Sequence, residues 1–141
     1  MKTLVATLIA TAVGASFAIA PANAQDKDAH RAAMDKAAAD YRTAQNKCDS
    51  QSGNTKDVCE EQAKVVRAKA EADAVAKHDN TGNNLQQARS RVIAAEYDLA
   101  EEKCDAQDGQ AKDRCQDAAR ATRDAALAQV EGRAGDSAVG A

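Results

Sequence analysis

Small and apolar residues recur along this chain at alternating spacings of three and four, the pattern of helices that each bury one narrow stripe. One stripe runs Met34, Ala37, Tyr41, Ala44, Cys48; another runs Ser90, Ile93, Tyr97, Ala100, Cys104. Between and after them come Cys59, Ala63, Val66, Ala70 and Cys115, Ala119, Thr122, Ala126. Gly53, Gly82 and Gly109 divide these stripes. Glycine takes positive φ without steric cost and commonly follows the last turn of a helix. The spacing therefore predicts helices over 26–52, 55–79, 84–108 and 111–131. Asn54, and Asn83 or Asn84, are placed to cap the helices that follow, and Asn84 with Gln87 has capping-box spacing. Residues 132–141, with Gly132, Gly135 and Gly140, read as a flexible tail.

The stripes repeat because the chain does. Tyr41 to Ala74 aligns on Tyr97 to Val130 with 14 identities in 34 positions. Ten of these lie in the 19 residues that end at the second cysteine. Cys48 and Cys59 return as Cys104 and Cys115, each pair bracketing a turn at Gly53 or Gly109. In an antiparallel αα-hairpin, positions about one turn from the tip face each other at the same level. Four cysteines allow three connectivities, and this geometry favours 48–59 with 104–115. A ring of this size stabilises by about 3 kcal/mol in the chain-entropy model. The predicted fold is all-α: two tandem disulfide-stapled antiparallel αα-hairpins, repeat 1 over 25–80 and repeat 2 over 81–131. Whether the hairpins pack as one bundle or stand as separate extended arms is open.

Residues 1–24 read as an address. Lys2 precedes an apolar run from Leu4 to Ala20, and Ala22-Asn23-Ala24 is a small-residue cleavage site before Gln25. No later stretch approaches the roughly 20 apolar residues of a membrane span. The expectation is a cleaved signal peptide and an exported chain, in an oxidising compartment where cysteines pair.

Composition then sharpens the picture. Beyond residue 24 there are 28 alanines, only twelve Leu, Ile, Val or Met residues, and no aromatics except Tyr41 and Tyr97. So little bulk and so much charge would suggest disorder, but alanine is the strongest helix former, with Lys, Arg, Glu and Gln close behind. Thin, solvent-bathed helices packed through small residues follow. The tyrosines, at equivalent repeat positions on the stripes, read as packing anchors. Opposite charges on exposed faces, such as Glu60 with Lys64, suit i,i+4 pairing. Eighteen basic and 22 acidic residues are interspersed without a polybasic block, which argues against nucleic acid and anionic membranes as partners.

Candidate chemistry is sparse, and no pattern rises to a biochemical activity. Ten residues between paired cysteines is wrong for zinc, and no C-x-x-C motif supports a redox centre. Asp49 to Glu60 echoes a calcium-binding loop, but the glycine stands at position five rather than six. Gln51 holds position three, and the second copy has Gln116 in place of the last glutamate. Asp57 and Asp113 read instead as first-turn acids that complement the helix dipole. His30 and His78 are single and read as surface residues without an identifiable partner. No nucleophile elbow, phosphate loop or H-E-x-x-H motif occurs. The chain reads as non-enzymatic, with no cofactor and no metal.

The unit Lys47-Cys48-Asp49-x-x-x-Gly53-Asn54-Thr55-Lys56-Asp57-Val58-Cys59 resembles one found twice in small exported Ala/Lys-rich proteins of proteobacteria, some labelled TolA-like cell-envelope proteins. The first copy departs from the C-D-x-x-x-G-N-A-K-D-V-C pattern at Thr55. The second departs at Gln110 and Arg114 and retains Cys104, Asp105, Gly109, Lys112, Asp113 and Cys115. The resemblance implies a periplasmic or secreted location in a Gram-negative bacterium and no particular activity. The expected role is a structural or interaction protein of the envelope, with an envelope protein as partner and oligomers possible. A stress-related binding or chaperone-like protein is the alternative.

Overall fold

The computed structural model describes residues 22–139, with side chains from 26 to 132. The expected signal peptide lies outside the described residues except for its last three, which begin the first helix. Four helices follow: α1 Ala22–Cys48, α2 Asn54–His78, α3 Gly82–Cys104 and α4 Gly109–Val139. The described residues contain no strand, so the fold is all-α and carries two disulfide-stapled hairpins, Cys48–Cys59 and Cys104–Cys115.

The boundaries differ from expectation in an instructive way. α1 and α3 stop at the cysteines, four residues short of the predicted ends, and the glycines belong to the following helices. Asp49, Ser50 and Ser52 favour local hydrogen bonds over helix continuation. Ser50 Oγ donates to the Lys47 carbonyl at 2.9 Å, and Gln51 N–H to that of Cys48 at 2.9 Å. Gly53, at φ 58° and ψ −155°, is the N-cap of α2 rather than the C′ residue of α1. α3 is capped by Thr81, whose hydroxyl accepts from the Asn84 N–H at 3.3 Å, in place of Asn83 or Asn84. With α4 starting at Gly109, Asp113 falls in its second turn and only Asp57 is a first-turn acid. α4 also continues to Val139, through the stretch expected as a tail. Lys64 pairs with Glu61 rather than with Glu60, which takes Lys56.

Packing resolves the open question of bundle or arms. Among the described residues each helix touches only its chain neighbours: α1 with α2, α2 with α3, and α3 with α4. A four-helix bundle would also bring α1 against α4. The four helices form a single antiparallel layer, with both cysteine-stapled turns at one end and the Asp79–Thr81 link at the other.

A single layer requires the two inner helices to bury opposite faces. On α2 one face meets α1 through Cys59 and Arg67, with Ala63 and Ala74 buried along it. The other meets α3 through Asn54 and Lys69. At 100° per residue, Val58, Glu61, Val65, Ala68, Ala72 and Val75 fall on that second face. Their spacing is a heptad a/d pattern. Opposite them on α3 stand Leu85, Ala88, Val92, Ala95, Leu99 and Glu102, in the antiparallel register that Asn54 and Glu102 set. Val65, Val75, Ala88 and Leu99 are buried there. By contrast Val66, expected in the α1 seam, is 55% exposed, and Ala70 is exposed as well.

Candidate functional site

The residues that the two repeats share converge on the hairpin tips and on the seam just below. Cys48 faces Cys59 with Cα atoms 5.6 Å apart, and Cys104 faces Cys115 at 5.5 Å. Asp49 reaches back across the first turn to Lys56 at 3.2 Å, and Asp105 to Lys112 at 3.0 Å. The Asp49 contact, with help from Glu60, raises the Lys56 pKa above the ordinary lysine value. Gly53 and Gly109 hold φ of 58° and 55°, the left-handed region that only glycine enters without strain. Five positions of the motif are thus accounted for in each repeat: the two stapled cysteines, the Asp–Lys pair across the turn and the glycine that reverses the chain.

About two turns below each staple, an arginine lies over a tyrosine ring. Arg67 Cζ is 5.2 Å from the Tyr41 centroid, and Arg123 Cζ is 4.4 Å from that of Tyr97. The arginines are equivalent repeat positions, and their identity across the alignment is the signal that could have revealed them. Both tyrosines are half-buried at their seams. Tyr97 also donates its hydroxyl to Glu101 Oε1 at 2.5 Å, which raises its pKa, with Arg123 pulling the other way.

Between the tips, Asn54 Nδ2 donates to the Glu102 carbonyl at 2.7 Å, satisfying one of the last orphan carbonyls of α3. This is what Asn54 does in place of capping α2. The Glu102 carboxyl, partly desolvated and beside Asp105, Asp57 and Glu61, has its pKa raised, with Lys64 opposing.

Two recesses bear on what the layer can bind. A groove of ≈310 Å³ runs between α3 and α4, lined by Ile93, Tyr97, Ala100, Ala119, Thr122 and Ala126 among others. At the end far from the staples, a recess of ≈420 Å³ is lined by Asp26, Lys27, His30, His78 and Asp79. The histidines, which the sequence leaves unrelated, are therefore neighbours across the first hairpin. Among the described residues no three His, Cys, Asp or Glu side chains converge to form a metal cage. None of the described helices is long and apolar enough to cross a membrane.

No protein family, curated protein or solved structure matches the chain. Its functional reading rests on its own geometry.

Proposed function

We propose that this chain is a non-enzymatic structural or interaction protein, exported to the cell envelope, that presents a stapled helical layer to a protein partner. One observation carries the reading. The cysteines, the Asp–Lys pair and the glycine shared by both tips are engaged in closing the turns, and what they hold in place is helix surface. The disulfides suit an oxidising compartment, and the apolar leader-like run supplies the route there. The outer helices present alternating charge with isolated apolar positions, a surface suited to specific polar contacts. In vivo photocrosslinking from the exposed faces of α1 and α4 should trap one or a few discrete envelope proteins. A diffuse smear of unrelated proteins would contradict it.

A second reading, a stress-related binding protein, is favoured by the groove between α3 and α4, whose lining is largely apolar. It predicts suppression of client aggregation, weakened by filling the groove with Ala119→Trp.

A further inference from the structure

The chain has two histidines, and the fold brings both to one recess. Tyr41 and Arg67 fix the register of α1 against α2. Position 30 lies eleven residues before Tyr41, and position 78 eleven after Arg67. Eleven residues are three helical turns, so both imidazoles return to the same seam at the same level, opposite each other. They line one recess with Asp26, Lys27 and Asp79. His30 Nε2 is shielded from solvent and has no hydrogen-bond partner, whereas buried imidazole nitrogens ordinarily find one. Two imidazoles from facing helices thus line one recess, and the His30 nitrogen has no competing hydrogen-bond partner.

We propose that His30 and His78 form a binding site for a late first-row divalent cation, bridging α1 and α2. The donor set fixes the class of metal. Hard cations such as Ca²⁺ and Mg²⁺ require an oxygen-rich shell. Imidazole nitrogen suits Zn²⁺, Ni²⁺ and Cu²⁺, with Cu²⁺ bound most tightly along the divalent series. Two protein ligands leave the rest of the shell to water. Asp79 Oδ2 accepts from Asn84 Nδ2 at 2.7 Å, which ties this carboxylate to the start of α3. Lys27 sets a limit on affinity, since its ammonium shares the recess.

The site has a structural consequence. Hairpin 1 is closed covalently at its tip and has no covalent closure at its other end; a bridging metal closes that end. Repeat 2 has Gln86 and Ala134 at the equivalent positions, so the device belongs to repeat 1 alone.

Titration of the oxidised, leader-free, untagged protein with Cu²⁺ by calorimetry, alongside thermal unfolding with and without Cu²⁺, tests the proposal. The expected result is one saturable site and a raised melting temperature. His30→Gln and His78→Gln should each weaken binding by at least about tenfold, because each removes one of two protein ligands and losing even an outer-shell partner typically costs about 10–100-fold. Both should abolish the thermal shift while leaving the metal-free melting temperature close to wild type. Absence of saturable binding overturns the proposal. So does binding that survives both substitutions, which would place the ion elsewhere, or binding that depends on one histidine only.

Discussion

Replacing Leu99 with alanine probes the seam that joins the two hairpins. Leu99 is 7% exposed and stands on the face of α3 that meets α2. The change removes three carbon groups, which at about 0.8 kcal/mol each gives a loss of about 2.4 kcal/mol. Buried leucines usually lose about 2–5 kcal/mol, the upper part coming from an unfilled cavity. A one-layer seam opens to water on both sides, so the gap fills and the cost stays near the lower bound. The internal control is Thr43, the equivalent residue of repeat 1, which lies exposed on the outer face of α1. Thr43→Ala should change stability by less than about 0.5 kcal/mol. Urea unfolding followed by circular dichroism at 222 nm, under oxidising conditions, gives both values. The Leu99→Ala midpoint should fall by about 1–2 M for a slope of about 1–2 kcal/mol/M. A loss below about 0.5 kcal/mol, or an equal loss for Thr43→Ala, would refute the seam as the main hydrophobic contact.

Other expectations follow from the same geometry. Replacing Cys48 and Cys59 with serine should destabilise the protein by about 3 kcal/mol and fray the first tip, as amide exchange at residues 45–60 would report. Gly53→Ala forces a side chain to φ 58° and should cost about 1–3 kcal/mol. Gly82→Ala, where φ is not positive and nothing crowds a Cβ, should gain about 0.4–1 kcal/mol; thermal melts separate the two. Tyr97, held protonated chiefly by its bond to Glu101, should titrate above the usual tyrosine range when absorbance is followed in Tyr41→Phe. A phenol with a raised folded pKa stabilises below its unfolded pKa, and that contribution disappears as pH rises through the folded value. Glu102 obeys the same sign: its raised pKa gives stability at low pH that is lost as pH climbs through the folded value. Glu102→Gln should therefore flatten the acid side of the stability profile and leave the protein no less stable at pH 7.

The fold class and both disulfides were legible because they depend on local signals: helical periodicity, and cysteine pairs set about one turn either side of a glycine. The ends of α1 and α3 were not, because the left-handed glycine that normally marks a helix end here begins the next helix. The architecture was hidden for another reason. Each repeat aligns best along the stripe that faces its own hairpin partner, which draws attention to Cys59, Ala63, Val66 and Ala70. The second stripe of α2, Val58 through Val75, diverges between repeats. Its counterparts on α4 are Arg114, Asp117, Ala121, Asp124, Ala128 and Glu131, all exposed. On α1 the counterparts of the α3 stripe are Ala29, Ala32, Lys36, Ala39, Thr43 and Asn46, likewise exposed. That divergence is the signal: the bulky aliphatic residues of the inner stripes give way on the outer faces to alanine and to polar or charged residues, which suit solvent. The Tyr–Arg pairs were also readable, from Arg67 and Arg123 matching in the alignment. The His30–His78 recess needed the register, which no local pattern supplies.

A distance from α1 to α4 tests the single layer directly. Thr43 and Asp124 stand at the same level on the two outer faces. Spin labels placed there on encoded non-cysteine residues leave all four native cysteines paired. Three helix spacings of about 8–10 Å each put the backbones about 24–30 Å apart, and the outward labels farther still. Pulsed electron–electron resonance should give a distribution centred at about 30 Å or more. A centre near 10–15 Å, the spacing about one neighbouring helix gives, would mean that α1 closes on α4 and that the single layer is wrong.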